Sequence, residues 1–208
     1  MDVQLNFINK SDDESETDIV IFQKNAAHAA VEAVAWQVIR HLGPGGSHPF
    51  VVPHKFQIAC ADRYGNYTPK LDVPRSSIQF EMVLTDSGDV LRPSPFTKTD
   101  PLGKVMPGVL LFNRLDNFVF AKVYKDNKLA ASMYVEAGFV AGFEFSPTIY
   151  LGVCPEGVSE GQELRAEQAW VIDDKLSLQH IASADIVMTG GGDGGAPRQF
   201  TLKNVVRN

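Results

Sequence analysis

The sequence predicts an all-β protein: an antiparallel β-sandwich of jelly-roll or immunoglobulin-like type, with at most one or two short helices. Three observations support this class. About ten to twelve short apolar or alternating runs recur along the chain, and turn-forming residues separate them. The regular succession of strand and helix that a βαβ fold requires is missing. A length of 208 residues suits one large sandwich, so we predict a single domain over residues 1–208.

The composition limits the partners that the chain can have. Hydrophobic residues make up 44% and charged residues 21% of the chain, which is enough apolar material for a sizeable core. The net charge of −6 repels phosphate backbones, and the sequence shows no basic patch to offset it. We therefore expect no nucleic acid partner and no electrostatic attraction to anionic membranes.

The sequence also predicts an acidic, soluble, cytoplasmic protein. The N-terminal residues lack the basic and apolar regions of a secretory signal, and no run approaches the roughly 18 apolar residues of a transmembrane helix. Cys60 and Cys154 both lie in apolar, strand-like runs, and two cysteines are too few for a disulfide scaffold. We expect both thiols to be unpaired and buried.

The first quarter of the chain contains two predicted strands and one ambiguous segment. Residues 3–8 and 19–22 are predicted strands, and the acidic segment 11–18 between them is a solvated loop. In residues 26–42 the alanine-rich start favours a helix, whereas the alternation of later apolar residues favours a strand. We interpret this segment as a short helical turn followed by a strand over 34–40, with the choice between helix and strand left open.

The remaining strands alternate with turn-rich loops. Residues 50–61 read as one strand with Pro53 at a bulge or edge; if the proline interrupts it, the effective strand is 56–61. A proline-rich connection covers residues 92–108. The other predicted strands are 78–84, 90–91, 109–112, 118–124, 129–135, 143–145, 149–153, 163–172, 186–188 and 199–205. The predicted loops and hairpin turns are 43–49, 63–69, 86–89, 125–128 and 190–195.

One internal similarity suggests a duplication, and chance similarity between two β segments explains it equally well. A proline, an aromatic residue and a cysteine recur with the same spacing in the two halves of the chain. The matching positions are Pro53, Phe56 and Cys60 in the first half and Pro147, Tyr150 and Cys154 in the second.

The motifs of common catalytic and metal sites are missing. His41, His48 and His54 lie close in sequence, but their spacing matches no zinc motif, and we interpret them as polar loop residues whose convergence stays open. The glycine-rich segment 190–195 lacks the lysine and the following helix of a phosphate-binding loop. No nucleophile elbow occurs. We predict no catalytic residue, no metal ligand and no cofactor, and we assign Trp36 and Trp170 to packing.

One loop has the composition of a ligand-binding site. Asp62, Tyr64, Asn66 and Tyr67 combine aromatic rings, which stack on sugar rings, with planar polar groups that bind hydroxyls. The same residue types also favour ordinary turns. We predict these four residues as the ligand-binding residues, in preference to the loop 48–54.

The functional hypothesis is a non-enzymatic β-sandwich that binds a small molecule, a glycan or a protein partner through loops. One alternative is an enzyme whose site is assembled from distant strands. Another is an oligomeric, toxin-like module that binds glycans or lipids, and a homo-oligomer stays open in every case. A buried polar pocket with perturbed carboxylates would favour catalysis, whereas an exposed aromatic patch would favour binding.

Overall fold

The computed structural model describes residues 1–12, 18–28, 31–74, 78–94, 108–154, 157–164, 174–192 and 196–208. The described residues form strands and no helix. In chain order the strands are β1 (Val3–Ser11), β2 (Asp18–Phe22), β3 (Ala33–Val34), β4 (Gln37–Ile39), β5 (Ser47–Val52), β6 (Phe56–Ala61), β7 (Leu71–Val73), β8 (Ile78–Thr85), β9 (Gly88–Pro93), β10 (Val109–Asn113), β11 (Val119–Lys125), β12 (Lys128–Val135), β13 (Val140–Phe143), β14 (Thr148–Cys154), β15 (Glu163–Leu164), β16 (Asp174–Ser177), β17 (Ile181–Gly190) and β18 (Gln199–Arg207).

The all-β class is confirmed, with several mostly antiparallel sheets. The finer assignment to a jelly-roll or immunoglobulin-like topology stays a prediction. The chain forms two compact units, which we call the first sandwich (residues 1–24, 32–54 and 147–208) and the second sandwich (residues 25–31 and 55–146). The prediction of one domain over the whole chain stays a prediction. Within the described residues, no helix is long and apolar enough to cross a membrane.

The first sandwich contains two four-stranded sheets, with the strand orders β18-β17-β1-β5 and β16-β14-β2-β4. Alternate residues of β1 are buried, which is the pattern of a strand with one face on a core. Every residue of β2 is buried, because a short ribbon of β3 and β15 covers the outer side of its sheet. Trp36 is buried against Phe50 of β5, with ring centroids 6.5 Å apart, as a packing residue should be.

The second sandwich contains sheets with the strand orders β13-β10-β8-β9 and β12-β11-β6-β7. Its core takes alternate residues from both sheets, so the two sheets pack face to face. In β11 the inward residues are buried and the outward residues are half-exposed, in strict alternation. The core residues are Ile58, Cys60, Val73, Phe80, Met82, Leu91, Val109, Leu111, Leu115, Val119, Ala121, Val123, Ala131, Val135, Ala141 and Phe143.

The two sandwiches have the same strand topology. Each contains one sheet with a central parallel pair, β1 with β17 or β10 with β8, and one sheet that is antiparallel throughout. In chain order β1, β2, β4 and β5 match β10, β11, β12 and β13, and β6, β7, β8 and β9 match β14, β16, β17 and β18, with every pairing preserved. Each half of the chain therefore supplies four strands to each sandwich, which supports an internal duplication.

Two buried asparagines occupy matching positions in this repeated topology. Asn9 ends the pairing of β1 with β5, and its side-chain oxygen accepts a hydrogen bond from the backbone of residue 11 at 2.9 Å. Asn113 does the same on β10, accepting from the backbone of residue 115 at 3.1 Å. The backbone of each also bonds two adjacent loop residues, of which Gly45 and Gly138 have φ angles of 83° and 78°. The backbone bonds of the two asparagines and the bond that each side-chain oxygen accepts two residues further on are thus repeated.

The proposed sequence similarity identifies the correct strands but not equivalent positions. Cys60 lies on β6 and Cys154 on β14, which are matching strands. Cys60 packs in the core of the second sandwich, whereas Cys154 packs in the cluster under the β3–β15 ribbon. Both cysteines are buried and unpaired, as the sequence predicts.

Several predicted elements differ from the structure. Residues 50–61 are not one bulged strand: β5 ends at Val52 and β6 begins at Phe56, and Pro53, which has no N–H to donate, lies between strands of different sandwiches. The strand predicted at 143–145 lies instead at Val140–Phe143. β5 also begins inside the predicted loop 43–49. The described residues of the segment 26–42 contain turns and the short strands β3 and β4, but no helical turn.

Other predictions fall partly outside the described residues. These include residues 13–17 of the acidic loop, 95–107 of the proline-rich connection, 165–173 of the strand predicted at 163–172 together with Trp170, and 193–195 of the glycine-rich segment. Asp18, placed in the acidic loop by the sequence, is a buried residue of β2.

Candidate ligand-binding site

The predicted ligand-binding loop is closed by its own hydrogen bonds. Asp62 accepts from the backbone N–H groups of Tyr64 and Asn66 at 2.8 and 2.9 Å, and from the Asn66 side chain at 2.8 Å. The hydrogen bond from the Asn66 side chain is the largest reason that the pKa of Asp62 is lowered. Gly65, with a φ of 85°, permits the reversal. The polar groups that the sequence assigns to a ligand therefore shape the turn.

The two tyrosines of this loop point to different surroundings. Tyr64 is 72% exposed and stacks on the neighbouring Arg63, whose guanidinium lies 4.6 Å from the ring centre. Tyr67 forms an isolated β-bridge with Ala61 at the end of β6, which places it beside the sheet. Its hydroxyl accepts a hydrogen bond from Lys122 of β11 at 2.8 Å. Ligand binding by the four predicted residues stays a prediction, and only Tyr67 joins a larger surface.

That surface is the outer side of the sheet β12-β11-β6-β7, which we call the aromatic face. Because the side chains of a strand alternate, the residues of β11 that do not enter the core all point to this side. The described residues that form the face are Phe118, Phe120, Lys122, Tyr124, Tyr134, Tyr67 and Lys70.

One end of the aromatic face is a cluster of three rings. Phe118 and Phe120 meet edge to face at 5.7 Å, and both contact Tyr134 of the adjacent strand, at 4.9 and 6.0 Å. Phe120 and Tyr134 are directly paired across β11 and β12. Tyr134 is 51% exposed, and both phenylalanines are half-buried. The mutual contacts fix the ring positions while leaving part of each ring open to solvent.

The other end of the face combines tyrosines with lysines. The Lys122 ammonium lies 4.9 Å from the ring centre of Tyr67, and the Lys70 ammonium lies 4.1 Å from that of Tyr124. Lys70 also donates to the side chain of Asn127 at 3.2 Å. Burial, followed by the proximity of Tyr67, raises the pKa of Tyr124. Both ammonium groups are therefore held over tyrosine rings on the same side of the sheet.

A pocket of about 510 Å³ opens beyond the lysine end. The Gln57 side chain donates to Asp72 at 2.8 Å within its lining, and Asn127, the partner of Lys70, also borders it. Gln57 pairs with Tyr124 across β6 and β11, so the pocket continues the aromatic face. The lining residues are Lys55, Phe56, Gln57, Asp72, Val73, Pro74, Asp126 and Asn127.

A buried lysine lies on the core side of this pocket. The Lys125 ammonium is 4.6 Å from the ring centre of Phe145 and 6.0 Å from that of Phe56, which also lines the pocket. Burial lowers the pKa of Lys125 to about 8. The neutral form of Lys125 is therefore easier to reach than that of an exposed lysine, because burial disfavours the charged form.

The second sheet of the same sandwich carries a network of ions. Glu81 is buried, and its two oxygens contact Arg92 at 2.9 Å and Arg114 at 2.8 Å. Burial raises the pKa of Glu81, but the hydrogen bonds and charges of the two arginines outweigh this and lower it. The carboxylate is thus paired on both sides, which is the arrangement of a structural ion network.

The histidines do not form a metal site in the described part of the chain. His48 of β5 lies 3.4 Å from the Gln37 side chain, and His41 has a φ of 50° in the loop after β4. No three histidine, cysteine, aspartate or glutamate side chains among the described residues are close enough together to hold a metal ion.

Comparisons with known proteins found no match to a family model, to a curated protein or to a solved structure.

Sequence reasoning found Tyr67 but missed the rest of the aromatic face. Its residues come from β11, β12 and the loop before β7, which are far apart along the chain. One signal was present: in residues 118–124 the aromatic residues and Lys122 alternate with Val119, Ala121 and Val123, so they must share one side of the strand.

Proposed function

We propose that this protein binds a glycan through the aromatic face of the second sandwich. One observation carries the proposal: three partly exposed rings and two lysine–tyrosine pairs lie on the outer side of one sheet, on residues that the core does not require. Aromatic rings stack on the C–H faces of sugars, and flanking amines and hydroxyls bind sugar hydroxyls.

The geometry suits an extended ligand. From Phe118 to Tyr124 the strand advances about 20 Å at about 3.3 Å per residue, which is long enough for several successive sugar rings. The rings are fixed by contact with one another, so binding orders few side chains and costs little conformational entropy. This surface favours binding over catalysis, since its contacts are stacking and cation–π contacts.

The test uses a panel of cellohexaose, chitohexaose, mannohexaose, hexagalacturonate and a heparin-derived hexasaccharide, with affinity measured by calorimetry. We expect at least one member to bind, and the double substitution Phe120→Ala with Tyr134→Ala to weaken that binding at least tenfold. Loss of two stacking rings at about 1 kcal/mol each predicts a change of this size.

The matched control is Phe112→Ala. Phe112 is a half-buried phenylalanine on β10, in the other sheet of the same sandwich, and it contacts Arg114 with the guanidinium 4.4 Å from the ring centre. This variant should bind as the unmodified protein does. If no oligosaccharide of the panel binds, or if the double variant binds as tightly as the control, the proposed function is wrong.

A further inference from the structure

We infer that the glycan is anionic, and that the Lys70 and Lys122 ammonium groups recognise its carboxylate or sulfate groups. This inference rests on the proposed glycan-binding function and adds the chemical class of the ligand. It is carried by the position of the two ammonium groups, each over a tyrosine ring on the same side of one sheet.

The charge of this surface differs from that of the whole chain. The protein has a net charge of −6, whereas the described residues on the outer side of these strands include two lysines, Lys70 and Lys122, and one carboxylate, Asp72, which accepts a hydrogen bond from Gln57 at 2.8 Å. Lys122 and Tyr124 are two residues apart on β11 and so point to the same side, and the Lys70 ammonium lies over the Tyr124 ring. The two cations therefore form one cluster, and a cationic cluster on an acidic protein favours an anionic ligand by charge complementarity.

The hydrogen bonds of the two lysines leave donors for a ligand. An ammonium group has three N–H donors. Lys122 gives one to the Tyr67 hydroxyl at 2.8 Å, and Lys70 is bonded to the carbonyl and side-chain oxygens of Asn127 at 3.4 and 3.2 Å. These partners are all neutral, so neither charge is compensated by a carboxylate in those contacts, and each ammonium remains able to bind an anionic oxygen.

The arrangement of the face assigns different roles to its two ends. The three-ring cluster contacts the apolar side of the sugar chain, and the lysine end selects for charge about three to four residues further along β11. Neutral oligosaccharides can use the three-ring cluster and can accept hydrogen bonds from the lysines, but they gain no charge attraction there. We therefore expect the uronate and sulfate oligosaccharides of the panel to bind more tightly than neutral ones of the same length.

The experiment compares hexagalacturonate and the heparin-derived hexasaccharide with cellohexaose, at low and at physiological salt. The double variant Lys70→Met with Lys122→Met should bind the anionic probes at least tenfold more weakly, and cellohexaose no more than about threefold more weakly, because a neutral sugar loses hydrogen bonds from the two amines but no charge attraction. The anionic binding of the unmodified protein should also weaken as salt increases, because exposed charges are screened.

The matched control is Lys10→Met with Lys203→Met, which makes the same change in net charge at exposed lysines of β1 and β18. This variant should keep the affinity of the unmodified protein for the anionic probes. An equal loss in both double variants would show a general charge effect and overturn the inference.

Two further outcomes would also overturn it. Equal affinity for neutral and anionic probes, unaffected by Lys70→Met with Lys122→Met, would leave a neutral glycan as the ligand and the proposed function intact. Binding of a hexaglutamate peptide as tight as that of the anionic sugars would show that the site recognises charge without sugar. Failure of every oligosaccharide to bind would instead remove the proposed function itself.

Discussion

The two sandwiches share a topology but differ in what covers the matching sheet. In the first sandwich the outer side of β14 and β2 is covered by the β3–β15 ribbon, and the residues beneath it are apolar and buried. In the second, the outer side of the matching strands β6 and β11 carries the aromatic face, which the described residues leave partly exposed. The difference separates the inward residues that specify the fold from the outward residues available for function.

The shared part of the two sandwiches is polar as well as apolar. Asn9 and Asn113 are buried at matching positions, and each bonds the backbone two residues further on and two adjacent residues of a loop. A buried amide with satisfied hydrogen bonds is expensive to replace, because its former partners lose their bonds without gaining contact with water. These two residues are therefore the strongest test of the equivalence between the two sandwiches.

The largest loss of stability is expected for the substitutions Asn9→Ala and Asn113→Ala. Each leaves buried backbone groups without partners, so each should lower the free energy of unfolding by about 2–4 kcal/mol. Urea unfolding followed by far-UV circular dichroism, which reports the strands of both sandwiches, measures the loss. The control is Asn117→Ala, which removes an exposed side chain whose backbone oxygen, but not its side chain, bonds Asn113. A large cost at one buried asparagine and none at the other would contradict the equivalence.

A smaller loss of stability should distinguish the covered sheet of the first sandwich from the exposed sheet of the second. Val20 is fully buried under the ribbon, so Val20→Ala should cost about 2 kcal/mol through lost burial and an unfilled space. Phe120→Ala removes a larger side chain from the matching sheet, yet it should cost less than about 1 kcal/mol because the ring is not part of the core.

Thermal and urea unfolding of both variants make this comparison. If Phe120→Ala destabilises the protein as much as Val20→Ala does, the aromatic face is a structural surface and its availability for a ligand is lost. A small cost at Phe120 together with a large cost at Val20 would sharpen the distinction between the two sheets.

Much of the fold could be predicted because local patterns dominate in β11 and β12. The alternation of β11 and the Asp126-Asn127 turn, with φ angles of 49° and 60°, indicate a hairpin without help from distant residues. The helical turn predicted in the segment 26–42 was wrong for the opposite reason. Its alanines favour a helix locally, but Ala33 and Val34 pair with residues 163–164, and this tertiary pairing cannot be seen in the local sequence.

The site was predicted less well than the fold for a related reason. The loop around Asp62 was recognised because its chemistry is contiguous, and in the structure most of that chemistry closes the turn. The aromatic face is assembled by strand pairing across residues such as Phe120 and Tyr134. A sequence shows which residues alternate on one strand, but it does not show which strand lies beside it.

The smallest change in stability is expected for substitutions at the two cysteines, and there the comparison concerns the rates at which the two thiols react. Burial raises the pKa of Cys60 to about 12, and burial followed by the charge of Asp18 raises the pKa of Cys154. At pH 8 both are therefore protonated and poorly nucleophilic in the folded protein, and they react only when a fluctuation exposes them. Cys154 is covered by a ribbon with two paired positions among the described residues, whereas Cys60 lies in the main core of its sandwich. A local opening of the ribbon should expose Cys154, while exposure of Cys60 requires the sheets to separate.

The variants Cys60→Ser and Cys154→Ser each leave one thiol, and its rate of reaction with a disulfide reagent measures how often that thiol is exposed. We expect the Cys60→Ser variant to react at least tenfold faster in native buffer, and both to react rapidly and completely in urea. Equal native rates would show that the ribbon opens only with the rest of the fold, and the covered sheet of the first sandwich would then be as firmly closed as the core of the second.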